Sequence, residues 1–195
     1  MENDFVLTLS RSLKLDLPYP WRPQPIAATV SATLVLFAQG EAEPELLLTR
    51  RSDDLEHHRG QIAFPGGMKE EMDKNEEMTA LREAHEEVGI IPTQVQVLGR
   101  LPSLLTLTGY SITPVVGVLN IPRREFQMKL NSAEVAEAFW VPLSILLEPK
   151  IYHYEEMERG GQTFPIDVFT LNGHRVWGAT GSMVKNLVDR IQTLR

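Results

Sequence analysis

Three glutamates, Glu83, Glu86 and Glu87, follow Arg82 in the segment Thr79-Ala80-Leu81-Arg82-Glu83-Ala84-His85-Glu86-Glu87-Val88-Gly89. On a helix turning about 100° per residue, with Leu81 at zero, the three carboxylates fall between roughly 140° and 240°. Met78, Ala84 and Val88 lie within about 60° of Leu81, so the wheel predicts an apolar core face and a carboxylate face on the opposite side. Like charges this close repel, and a hard divalent cation that takes oxygen ligands relieves the repulsion. An isolated acidic cluster is more often a plain solvated face. The upstream run Phe64-Pro65-Gly66-Gly67, read as a turn, favours the cation, because Gly66 and Gly67 let backbone amides and carbonyls approach an ion or phosphate without side-chain hindrance.

Positioning these groups requires a helix over 74–88. Asp73, with Glu76 three residues on, can cap its free amides, and Gly89 ends it. Further helices are expected over 142–148 and 178–194. Strands are expected at 27–37, 45–49, 61–64, 95–101, 112–120, 139–141 and 164–171, from runs of β-branched and aromatic residues between turn signals. Strands alternating with helices give an α/β domain. Residues 1–25 read as a helix from Phe5 to Leu15 and a lead-in arm, with Pro18, Pro20, Pro23 and Pro25 holding an extended path. Residues 26–195 read as one domain, without internal repeat or linker.

A chain of 195 residues buries most of its apolar surface in one core, and 43% hydrophobic with 23% charged residues excludes wholesale disorder. The absence of cysteine removes disulfides, thiolate metal sites and cysteine nucleophiles, so any metal sits on oxygen or imidazole. A net charge of −7 argues against a general nucleic-acid surface. It leaves anionic small molecules open where a divalent ion and a few arginines outweigh it locally. No apolar run approaches the roughly 20 residues of a membrane helix, and the expected location is cytoplasmic, with no membrane partner.

The segment Gly67 to Ile90 resembles the Nudix box, G-x5-E-x7-R-E-U-x-E-E-x-G-U, with U a bulky aliphatic residue. Gly67, Arg82, Glu83, Glu86, Glu87, Gly89 and Ile90 match; Asp73 replaces the first Glu, eight residues separate it from Arg82, and Ala84 takes the first U. The resemblance implies the Nudix fold, an α/β/α sandwich around a central mixed β-sheet. It also implies a Mg²⁺- or Mn²⁺-dependent hydrolase of diphosphates linked to another moiety. Glu83 and Glu87 would be the principal metal ligands, Glu86 would assist, the Gly67 carbonyl would complete the set, and Arg82 would orient carboxylates. Glu83 and the distal Glu134 are the candidates for general base.

The run Leu47 to Gly67 is similar to the element L-L-T-x-R-S-x-x-L-x-x-H-x-G-Q-x-x-F-P-G-G of the coenzyme A diphosphatase subgroup, at every fixed position. Thr79-Ala80-Leu81-Arg82-Glu83-Ala84 and the shifted Asp73 fit the same subgroup. The substrate so implied is coenzyme A or a derivative, cleaved to 4′-phosphopantetheine and adenosine 3′,5′-bisphosphate. Arg51 and Arg59 could contact its phosphates through bidentate guanidinium bonds, or form surface salt bridges with Asp53, Asp54 or Glu56. His58 and Gln61 could bond a phosphate or hold the loop; Tyr110 and Trp177 could stack on adenine or fill the core. The alternatives are a nucleoside-diphosphate-sugar hydrolase of ADP-ribose type and, more distantly, a non-catalytic nucleotide sensor, which retention of Glu83, Glu86 and Glu87 disfavours. A homodimer follows by family analogy alone.

Overall fold

The computed structural model describes residues 2–19 and 28–194; Pro20, Pro23 and Pro25 of the expected arm, with Ile26 and Ala27, lie outside them. In chain order the described elements are α1 (Glu2–Ser12), β1 (Thr29–Gln39), β2 (Pro44–Arg51), β3 (Ile62–Ala63), β4 (Gly66–Met68), α2 (Glu76–Val88), β5 (Val95–Arg100) and β6 (Leu104–Leu105). They continue as β7 (Tyr110–Leu119), β8 (Val135–Pro142), α3 (Leu143–Leu146), β9 (Tyr152–Arg159), β10 (Gln162–Leu171), β11 (His174–Val176) and α4 (Gly178–Thr193).

Strand β1 explains the architecture. Its run Ala32-Thr33-Leu34-Val35-Leu36-Phe37-Ala38 is nearly all apolar, as a strand covered on both faces requires. Ala32, Leu34, Leu36 and Ala38 pack with Ala80, Ala84 and Val88 of α2. Val35 and Phe37 join the opposite core with Leu9 of α1, Phe169 and Leu171 of β10, and Met183 and Leu187 of α4. β1 runs parallel to β7, from Thr29 opposite Tyr110 to Phe37 opposite Val118, and antiparallel to β2 and β4. The sheet order is β3-β2-β1-β7-β5, with β4 also on β1, β6 on β7 and β8 on β2. This is a mixed sheet flanked by helices, the expected α/β/α sandwich.

Several elements depart from the sequence reading. The first helix spans Glu2–Ser12 rather than Phe5 to Leu15. Gly66–Met68 is a strand rather than a turn, and β9 and β11 join β10 in an unforeseen three-stranded antiparallel sheet. β9 carries Glu155, Glu156 and Glu158 and forms by pairing across its whole length with β10, so tertiary pairing overrides its weak strand propensity. No helix among the described residues is long and apolar enough to cross a membrane.

The N-terminal segment is fixed by an unusual anchor. Arg190 of α4 is 1% exposed. It donates to the carbonyls of Ser12, Leu15 and Leu17 at 3.1, 2.6 and 2.8 Å and to Asn186 Oδ1 at 2.7 Å. The guanidinium fork thus satisfies the open carbonyls at and beyond the end of α1.

Candidate active site

The helix that carries the carboxylates starts two residues later than its sequence suggests, at Glu76. Asn75, in extended conformation, is the N-cap, and its side chain accepts from Met78 N at 2.9 Å. The expected Asp73–Glu76 cap does not form, because each carboxylate has a cationic partner: Glu76 pairs with Lys69 and Arg100, and Asp73 with Arg82. Gly89 closes the helix as expected, at φ 78°. The core face is rotated from the predicted one. Ala80, Ala84 and Val88 are fully buried while Met78 is 42% exposed, because the small alanines let the helix lie close on β1. The rotation carries Glu87 to the edge of the core, where it is 3% exposed.

Arg82 organises the carboxylate face. Its Nη2 lies 3.0 Å from Asp73 Oδ2, 2.9 Å from Glu83 Oε1 and 3.0 Å from the Met68 carbonyl, and its Nη1 lies 3.1 Å from Glu86 Oε2. Asp73 also accepts from Thr79 Oγ1 at 3.0 Å and from the Glu70 amide at 3.0 Å. The hydrogen bonds from Arg82 hold the Asp73 carboxyl below its usual range despite burial.

Glu87 accepts from the Gly66 amide at 3.3 Å. Burial pushes its pKa up to about 8; Arg51 opposes that shift and Glu83 adds to it. Burial also raises Glu83, against the pull of Arg82. The two glycines serve different ends. A Cβ on Gly66 would lie 2.4 Å from the Ala32 carbonyl oxygen, so its bareness permits β4 to pair with β1. A Cβ on Gly67 would lie 2.5 Å from the Glu83 carboxyl carbon, so its bareness leaves room for that carboxylate.

Glu134, from the loop before β8, is brought to this cluster: its charge acts on both Glu83 and Glu87. Asn131, which the sequence reading passed over, holds it by donating to Glu134 Oε1 at 3.2 Å, while the Asn131 amide donates to the Glu87 carbonyl at 2.9 Å. The Asn131-Ser132-Ala133-Glu134 turn, with Asn131 Oδ1 accepting from Ala133 N, is the signal that could have singled it out.

Among the predicted substrate-binding side chains, Arg51 stands beside the carboxylates, where its charge acts on Glu87. The salt bridge to Asp53 is made by Arg50 at 3.1 Å, and the Arg51 Nε is buried without a hydrogen-bond partner among the described residues. His58 (φ 58°) and Gln61 hold the loop, with Nδ1 2.9 Å from Gln61 Oε1. Arg59, exposed, donates to the Leu55 carbonyl. Tyr110 pairs with Thr29, three residues along β1 from the Ala32 partner of Gly67, roughly 10 Å away. Trp177 lies under the Arg175 guanidinium, 4.9 Å from its ring centre.

Among the described residues no three acidic or imidazole groups gather around one point. Arg82 draws Glu83 and Glu86, and Glu87 turns to Gly66 N–H, so the carboxylates are less convergent than the wheel suggests. The donor set nonetheless suits a hard cation. It is all oxygen, it contains two carboxylates that burial disfavours as anions, and Gly67 leaves space next to one of them.

Residues 28–159 match the NUDIX domain model. The chain is 44% identical over 150 residues to a protein of Photorhabdus laumondii described as an uncharacterized Nudix hydrolase NudL, covering 77% of this chain and 79% of that one. A relative of the same description from Pectobacterium atrosepticum is 39% identical over 191 residues, covering 97% and 94%. Among solved structures, a MutT/nudix family protein from Enterococcus faecalis aligns with TM-score 0.52 at 16% identity, covering 99% of this chain and 75% of that one, and shares the fold. The Nudix hydrolase RenU of M. smegmatis aligns with TM-score 0.50 at 25% identity, covering 62% and 74%. With its box helix, its Gly66-Gly67 strand and its mixed sheet in place, the chain belongs to the Nudix family, as a hydrolase acting on pyrophosphate bonds.

Proposed function

We propose that this Nudix hydrolase cleaves the diphosphate of coenzyme A or its derivatives in the cytosol, releasing 4′-phosphopantetheine and adenosine 3′,5′-bisphosphate. The observation that carries this reading is Arg51. A buried guanidinium nitrogen without an acceptor is costly, and here it stands beside Glu87 in the element that resembles the coenzyme A subgroup. A phosphate oxygen supplies the missing acceptor in bidentate geometry.

Nudix hydrolases generally use divalent metal ions, and Glu83, Glu86, Glu87 and the Gly67 carbonyl would hold Mg²⁺ or Mn²⁺ here. Bound there, the ion neutralises charge on the non-bridging oxygens and acidifies water. Arg82 restrains Glu83 and Glu86 from one side, while Asp73 anchors Arg82 from the other. Glu134, held by Asn131, is proposed to take the proton of the attacking water, with Glu83 the other candidate. The water oxygen bonds to one phosphorus, the bridging P–O bond breaks, and the departing phosphate keeps its electron pair. His58, Gln61 and Arg59 shape the β2–β3 loop around Arg51, and Tyr110 contributes at the edge of the site.

Arg51→Gln tests the substrate assignment: kcat/KM for coenzyme A should fall at least tenfold more than that for ADP-ribose. An equal loss on both points to the sugar-nucleotide reading.

A further inference from the structure

A cleft of about 490 Å³ opens between the C-terminal end of α2 and the segment 121–131. Its volume falls in the usual range of small-molecule sites. The apolar lining comprises Ile91, Ile121, Phe126 and Leu130. Ile121 and Phe126 pack on the core beneath α2, whereas Ile91 and Leu130 are 48% and 39% exposed. Amide side chains stand among them, Gln94, Gln127 and Asn131.

The cleft is continuous with the carboxylate face through two residues. Glu86 lines it and also pairs with Arg82; Asn131 lines it and also holds Glu134. A molecule whose diphosphate lies at the glutamates can therefore extend one of its ends into the cleft. The cleft's charge selects which end. The lining carries two carboxylates, Glu86 and Glu125, against one ammonium, Lys129, and the imidazole of His85, with Arg82 and Arg124 pairing the carboxylates from outside it. That setting disfavours a further phosphate, while apolar surface edged with amides suits a neutral chain that carries amides of its own. Arg51 lies on β2, away from this lining, and is free to meet the more anionic end.

We propose that the cleft between α2 and segment 121–131 receives the pantetheine arm of the substrate, directing the phosphorylated nucleoside toward Arg51. This assignment rests on the coenzyme A reading given above and adds an orientation and a specificity determinant to it. Leu130 is the residue through which the arm is sensed, since it is apolar, 39% exposed and part of the cleft lining.

The test compares coenzyme A with an analogue in which the pantetheine is replaced by a methyl ester on the same diphosphate. In Leu130→Asp, the ratio of kcat/KM for coenzyme A to that for the methyl analogue should fall at least tenfold, through KM, and Leu130→Met should restore it. Because Leu130 is exposed, the fold should survive, as circular dichroism would verify. Coenzyme A turnover with an unchanged ratio in Leu130→Asp overturns the cleft assignment alone. Failure of the unaltered enzyme to cleave coenzyme A overturns the substrate reading and this orientation with it.

Discussion

Arg82 Nη2 lies 3.0 Å from Asp73 Oδ2, and the Asp73 side chain retains 2% of its exposure. The pair ties the loop before α2 to the helix that presents Glu83 and Glu86. Asp73→Ala should cost roughly 2 to 3 kcal/mol, somewhat less than the ~3 to 5 of a fully buried pair, because Arg82 keeps its other carboxylates. Since the folded-state pKa of Asp73 is depressed, its contribution is present above the ordinary carboxylate range and lost as pH falls through the lower, folded value. Urea midpoints measured at pH 7 and pH 3 should therefore differ less in the variant than in the unaltered protein. The same pH dependence in both would contradict the role given to Asp73.

The Asp73 pairing also marks where the sequence was legible and where it was not. Box spacing identified the helix and its charged residues, and the apolar run from Ala32 to Ala38 identified the central strand. Asp73 looks like a cap from its position alone; only the folded loop shows it turned to Arg82, leaving Asn75 to cap. Glu87 sits on the wheel next to Glu83, yet its burial depends on how far the alanine face rolls onto β1. The β9–β10 hairpin had a readable turn, Gly160-Gly161, both at positive φ, but charged β9 gave no period-2 apolar pattern to accompany it.

Glu87→Gln should separate stability from activity. The folded-state pKa of Glu87, about 8, lies above its ordinary 4.5, so in metal-free protein its stabilising protonated form is fully present below about pH 4.5 and lost as pH rises toward 8. Metal-free Glu87→Gln should match the unaltered protein near pH 4.5 and exceed its Tm at pH 8.5. Turnover should drop by about two orders of magnitude or more. A Tm difference independent of pH would contradict the burial argument, and near-normal turnover with Mg²⁺ or Mn²⁺ would contradict the metal role.

Gly66→Ala and Gly67→Ala should diverge. At Gly66 the added methyl meets backbone, the Ala32 carbonyl, so the β1–β4 pairing must open and Tm should fall by several degrees. At Gly67 it meets the movable end of Glu83, so the fold should tolerate it while kcat drops at least tenfold. Thermal melts and initial rates on both variants check this, and loss of folding in both would remove the distinction.

Arg190→Met should loosen the N-terminal segment. The Leu15 carbonyl loses its donor, while Ser12 keeps the Leu15 amide and Leu17 keeps the Asn186 side chain, at a cost of about 2 to 4 kcal/mol. Tryptic cleavage after Arg11 and Lys14 should quicken well before the domain itself is digested. Equal cleavage rates in both proteins would mean that α1 is held by apolar packing, with Leu9 in the core, and not by the guanidinium.

The central claim is the identity of the bond cleaved. It is tested most directly by incubating the purified protein with coenzyme A, ADP-ribose and UDP-glucose in parallel, with Mg²⁺ and with Mn²⁺, and identifying the products by mass spectrometry. The account predicts 4′-phosphopantetheine and adenosine 3′,5′-bisphosphate in equal amounts, at a kcat/KM above that for either sugar nucleotide. Faster cleavage of ADP-ribose or UDP-glucose, or intact coenzyme A with both ions, would contradict it.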